Sequence, residues 1–180
     1  MKLALVMMCA LFGVVLMFGG CAVCARNSAV ALEEAVGTAK SGIDVQLSNR
    51  FNKLTELAAC VKKYDEHEYR TLVDVIEKRG KNMSAAEAKQ CIAAFSRVEE
   101  RYPDLKSQRN YQNLMQEVAL TENHLAAHKK AYNESVREYR RHCQMFPANA
   151  FLSLFGYAMK DFAYYEAEAG VKDDKPMELF

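Results

Sequence analysis

The chain has 180 residues, is 51% hydrophobic, and carries 24 basic and 23 acidic side chains for a formal charge of +1. Charges that nearly cancel and are scattered leave no basic face for nucleic acid and no acidic solvating tail. Three prolines and eight glycines interrupt a sequence rich in Ala, Leu, Glu, Lys and Arg, which points to an all-α fold with no strand or hairpin signal.

The first element is apolar. Leu3 to Ala25 contains no charged residue, and a run of that length spans a bilayer core of about 30 Å as a helix. Three roles fit it: an uncleaved transmembrane helix, a lipoprotein signal, or a cleaved secretory peptide. Met1 and Lys2 form a short basic start, and Gly19-Gly20-Cys21 has the small-small-Cys ending that would make Cys21 the lipid-bearing residue, although Phe18 is a poor residue at the usual aliphatic position. Lys2 precedes the segment, whereas Arg26, Glu33 and Glu34 follow it. That balance leans towards an extracytoplasmic domain held in the cell membrane by its N-terminus. Setting aside residues 1–25 leaves about 155, enough for one domain with a real core.

From Asn27 to Arg79 there is no proline, and Leu32, Val36, Ile43, Leu47, Phe51, Leu54, Ala58, Val61 and Tyr64 recur at helical spacing. The pattern runs on through Leu72 and Ile76, which predicts one long helix ended by Gly80-Lys81-Asn82. Ser84 and Glu87 then form a capping box for a shorter helix with Ile92, Phe95, Val98 and Tyr102 on its apolar face. Pro103 to Lys106 turn the chain, and Ser107 caps a third helix that Pro147 ends. Its stripe is Tyr111, Leu114, Val118, Thr121, Leu125, His128, Tyr132, Val136, Tyr139 and Cys143; the span from 107 to 146 is about 60 Å long. Short connections and near-heptad steps predict an elongated antiparallel three-helix bundle over residues 26–170. The apolar stretch 150–159 supplies a short fourth helix that covers one end or meets a membrane surface. Residues 171–180 read as a loose polar tail on which Leu179 and Phe180 can dock.

Several strings carry a family resemblance. TEN (Thr121–Asn123), YN (Tyr132, Asn133), VREY (Val136–Tyr139), FPAN (Phe146–Asn149) and FGY (Phe155–Tyr157) stand in the long helix and just beyond it. Upstream stand GIDVQLSNRF (Gly42–Phe51), VKKYDEHE (Val61–Glu68) and RYPDLK (Arg101–Lys106), and the chain closes on KPMELF. In this order and spacing they resemble the LemA family of bacterial membrane-associated proteins, over about residues 26–180. The resemblance implies a long-helix antiparallel bundle behind an N-terminal membrane anchor, and implies no particular activity.

Chemistry has few footholds. Glu122, His124 and His128 have metal-like spacing, but two imidazoles and one carboxylate fall short of a zinc set with its supporting shell, so a structural role for each is favoured. Tyr64 to Glu68 reads as a solvated helix end with i,i+4 charge pairs. No phosphate loop, nucleophile elbow or Cys–His pair is present. Cys9, Cys21 and Cys24 lie in the apolar run; Cys60, Cys91 and Cys143 read as small buried hydrophobes, with one disulfide open to them if the domain is exported. Cys21 to Cys24 has redox spacing, but in an apolar run it reads as lipid attachment or packing. Gln46, Thr121, Asn123, Tyr132, Asn133 and Tyr139 fall near the seam and read as a hydrogen-bonded layer or interaction site. Arg137, Arg140 and Arg141 complement the helix C-terminus or meet anionic lipid. The expectation is therefore a non-enzymatic, membrane-tethered scaffold for an envelope protein partner, with no cofactor, no metal and no nucleic acid. The competing expectation is a metal-dependent accessory protein using Glu122, His124 and His128, or a lipid- or peptide-binding one using residues 150–159.

Overall fold

The computed structural model describes residues 2–166, the side chain of Ala4 excepted; they form six helices and, among the described residues, no strand. The tail 171–180, with Leu179 and Phe180, lies outside the described residues. Two compact units divide the chain, one built from residues 1–40 and 130–165 and the other on 41–129. The two longest helices, α1 (Lys2–Val61) and α5 (Arg109–Gln144), each contribute to both.

In the unit on 41–129 the core gathers Leu54, Leu57 and Val61 of α1 with residues of the next four helices. These are α2 (Glu66–Arg79), α3 (Ala85–Arg101), α4 (Pro103–Ser107) and the first half of α5. Phe95 and Tyr111 are fully buried, and the Tyr111 hydroxyl donates to the Phe95 carbonyl at 3.1 Å. That bond satisfies the one polar atom the ring carries into the core, while burial pushes the phenol pKa up.

The first predicted helix is interrupted. It ends at Val61 rather than at Gly80, because Asp65 adopts an extended backbone and its carboxylate accepts the amides of His67 at 2.8 Å and Glu68 at 3.0 Å. An aspartate that satisfies two orphan donors of a new helix competes with continuing the old one. Asp65 also accepts the Tyr102 hydroxyl at 2.8 Å, so the break is pinned from α3's end. The stretch 64–68 is thus a helix start and not a late solvated turn. The capping box of Ser84 and Glu87 is present, with Ser84 N to Glu87 Oε2 at 2.8 Å and Glu87 N to Ser84 Oγ at 3.2 Å.

The start of the long helix also differs from expectation. Pro103 opens the five-residue helix α4, Ser107 Oγ donates back to the Asp104 carbonyl at 2.8 Å, and α5 begins two residues later. Ser107 ends one helix instead of capping the next. After α5, α6 (Ala148–Leu154) is shorter and earlier than the predicted 150–159. Gly156, at φ 64°, turns the chain out of it, a left-handed conformation that suits glycine.

In the unit of residues 1–40 and 130–165, Ala22, Ala25, Ala29 and Val36 of α1 are buried, as are Tyr132, Val136, Tyr139 and Cys143 of α5 and Leu152 of α6. Most of the apolar run before Ala22 is uncovered: Leu11 is 68% exposed and Phe12 64%.

Candidate functional site

The most constrained polar group of the 41–129 unit is one that pattern reading passed over. Arg50 is 1% exposed, although it sits on the buried stripe of α1 between Ile43 and Leu54. Its Nη1 donates to Glu122 Oε1 of α5 at 3.0 Å and Oε2 at 3.4 Å, and its Nη2 donates to the carbonyl of Met83 in the α2–α3 connection. Nε has no partner. One guanidinium therefore ties three segments together; its charge is paired directly with Glu122, itself 24% exposed, and the Glu87 carboxylate is near enough to feel it as well. Position 50 is seven residues after Ile43 and four before Leu54. A charge at that point of a heptad-like stripe was the available signal.

The three residues of the competing metal reading, Glu122, His124 and His128, stand in different surroundings. Glu122 is the counter-ion of Arg50, and taking its oxygens for a cation would strand a buried charge. His128 is half-buried against α1 at Gly42, where an added Cβ would lie 2.9 Å from the His128 Nδ1. His124 is exposed. Among the described residues, no three His, Cys, Asp or Glu side chains stand where they could hold a metal ion.

Beside the ion pair lies an open cleft of about 440 Å³ to which Gln46, Lys53, Glu117, Leu120, Thr121 and His124 contribute. Lys53 Nζ meets Glu117 Oε2 at 2.8 Å across it. Thr121 is buried, but its hydroxyl donates to the Glu117 carbonyl of its own helix at 2.8 Å. Of the six residues expected in a polar layer, Gln46 and Thr121 meet here, and Asn123 is exposed.

The remaining three, Tyr132, Asn133 and Tyr139, belong to the other unit, where they receive the irregular segment 157–165 as it runs back along α5. Tyr139 Oη accepts the Lys160 amide at 2.9 Å and lies 3.2 Å from Tyr157 Oη. Tyr132 Oη donates to the Ala163 carbonyl at 3.2 Å, and the Asn133 carboxamide exchanges two 2.8 Å bonds with the Tyr165 backbone. Arg140 adds Asp161 at 2.6 Å and the Phe162 carbonyl at 2.7 Å, which is its role in place of a free basic end. Glu33 of α1 accepts from Tyr157 at 2.9 Å and pairs with Lys160. Those bonds hold the Glu33 carboxyl below its ordinary range, while burial and the two oxygen partners push the Tyr157 phenol up. Three of the six side chains expected in a polar layer thus hold a returning strap.

Where α1 leaves its uncovered stretch, the same unit has a predominantly apolar groove of about 600 Å³ lined by Cys21, Cys24, His142, Met145, Phe146 and Phe151, among others. His142 Nε2 lies 2.9 Å from the Ala25 carbonyl, and the Phe18 and Phe151 rings meet edge to face at 6.0 Å. Cys21 is exposed, whereas burial raises the thiol pKa of Cys91 and Cys143.

The architecture defines a class: among the described residues, an all-α protein with one N-terminal helix long and apolar enough to cross a membrane. The model of the LemA family matches residues 39–178, most of the chain, and the protein belongs to the LemA family. No curated protein sequence matches it significantly. The matched region begins inside α1, beyond the apolar run.

Proposed function

We propose that this protein is a membrane-tethered, non-enzymatic interaction module of the cell envelope, with its helices arranged as an antiparallel three-helix bundle outside the inner membrane. The observation that carries this reading is the continuity of α1: the uncovered apolar run and the core-forming residues from Ala29 to Val61 belong to one helix without a break. A tether joined to its domain through helix, with no flexible linker, suits presenting a surface to a neighbour. Further support comes from the fate of the polar groups. Glu122, Asp65 and Glu87 are each committed to structural bonds, so the chemistry they offer is cohesion. The partner-facing surface is the cleft beside Gln46 and Thr121, flanked by Leu120 at 54% exposure.

The experiment is site-specific photo-cross-linking in intact cells from residues 45 and 120, both exposed apolar positions. A discrete adduct with a membrane or envelope protein, lost from a probe at the buried position 54, is the expected outcome. Repeated absence of any adduct above background would sink the module reading. A cysteine added after Phe180, in a chain without other cysteines, and labelled with an impermeant maleimide reads the side of the membrane. Labelling of intact cells is expected.

A second reading, lipid binding through the apolar stretch after Pro147, is favoured by one observation: Leu154 and Phe155 are 77% and 54% exposed.

A further inference from the structure

Among the described residues ten exposed large apolar side chains lie outside the N-terminal run, and four of them fall in one short span: Met145, Phe146, Leu154 and Phe155. They bracket α6, whose inner face is fixed by buried Leu152 and by Phe151 against Phe18. The location of Phe18 on α1 sets a depth. Lys2 and Arg26 flank the uncharged run, and at about 1.5 Å per residue they stand about 36 Å apart, which leaves about 3 Å at each end of a 30 Å hydrocarbon core. Phe18 precedes Arg26 by about 12 Å along the helix and so lies about 9 Å inside the hydrocarbon boundary.

A ring in edge contact with Phe18 cannot be in bulk water when Phe18 is in hydrocarbon. Phe151 must share its depth to within a side-chain length, and α6 must lie in the same leaflet. Insertion of about 5–10 Å is the usual depth of helices that lie in an interface. The charge pattern agrees. Arg141 lines the groove with Cys21 and Ala25, at the level where the uncharged run ends, and Arg26 follows at once. Glu138 lines the same groove, so the two guanidinium groups outnumber one carboxylate there and leave a net positive charge for anionic headgroups, while the bare side chains of Leu154 and Phe155 are placed for acyl chains.

We propose that α6 with its flanks, residues 145–155, is a second membrane contact: a wedge seated in the leaflet from which α1 emerges, its occupant the lipid bilayer. The proposal rests on the reading of residues 3–25 as an uncleaved span. The bilayer removes the exposure of four large apolar side chains that the other described residues leave uncovered, and gives the domain a two-point attachment.

The chain contains no tryptophan, so a single introduced indole is a clean reporter. Full-length protein carrying Leu154→Trp, and separately Phe155→Trp, is reconstituted into phosphatidylcholine–phosphatidylglycerol vesicles, with Val14→Trp in the span as reference. The expected result is blue-shifted emission at 154 and 155 and about twofold quenching by lipids brominated near the carbonyl end of the acyl chain, with weaker quenching by lipids brominated near the terminal methyl. Water-like, unquenched emission at both positions, with Val14→Trp quenched, overturns the wedge and leaves the tether standing. Unquenched emission at all three positions overturns the tether and the wedge together.

Discussion

Replacing Glu122 by alanine should weaken the 41–129 unit more than replacing Arg50 does, although both changes delete the same ion pair. Arg50 is 1% exposed; once Glu122 is gone its only hydrogen-bond acceptor among the described residues is the Met83 carbonyl, its Nε has none there, and the one carboxylate left to feel its charge is Glu87, itself committed to Ser84. Removing one member of a buried pair costs about 3–5 kcal/mol because the other charge is left uncompensated; with Glu122 itself 24% exposed, the lower end, about 3 kcal/mol, applies. Arg50→Met removes the charge and keeps much of the volume. Glu122 then turns to water, and the net loss is about 1 kcal/mol, chiefly the bonds to Met83 and Glu122. For a chain of this size each kcal/mol moves the melting point by about 2–4 °C. The assay is thermal denaturation followed by far-ultraviolet circular dichroism on the full chain in mild detergent. Glu122→Ala should fall by about 6–12 °C and Arg50→Met by about 2–4 °C. The double variant should resemble Arg50→Met, since no stranded charge remains. An Arg50→Met loss equal to or larger than that of Glu122→Ala would refute the reasoning.

Glycine replacements in α1 should separate by position. A Cβ added at Gly37 meets no atom of the described residues within 4 Å, and Gly37→Ala should raise stability by about 1 kcal/mol, whereas Gly42→Ala meets the His128 ring at 2.9 Å and should gain nothing until His128 is also made alanine, as melting curves will read. Ser84→Ala removes half of a capping box and should cost about 1 kcal/mol. Asp65→Ala should fray the start of α2, seen as faster amide exchange at His67 and Glu68 with α3's interior unchanged. Acid should destabilise the protein. Lys160 and Tyr157 hold Glu33 below its ordinary 4.5, and the amides of Glu68 and Ser84 do the same for Asp65 and Glu87. Folded pKa values below the unfolded ones give stabilisation that is present above about pH 4.5 and is lost as pH falls through the folded values. A melting point that holds or rises below that pH would contradict this assignment, and Glu33→Gln should reduce the acid loss.

The sequence by itself determined the helical class, because hydrophobic side chains at three- and four-residue steps leave few other ways to bury them. It determined the apolar run of residues 3–25, which depends only on composition. The family was legible too, since its motifs are strings of neighbours. Local capping was partly readable: Ser84 and Glu87 act within one turn, and the chain alone fixes their geometry. Asp65 is equally local, but its choice between continuing one helix and starting another depends on Tyr102, distant in sequence. The same limit applies to Ser107, whose role passed to α4 once Pro103 could open a helix on the packed Leu105.

Only the tertiary structure decided what the polar residues do. Periodicity assigns a face but not a partner, so Tyr132, Asn133 and Tyr139 pointed inward without any sign that a returning strap would take their bonds. Glu122 was conspicuous beside two histidines in sequence, yet its partner is Arg50, far away along the chain and hidden among apolar neighbours. A buried charge is tolerated only where a counter-charge and an acceptor converge on it, and that convergence is a property of three segments packed together.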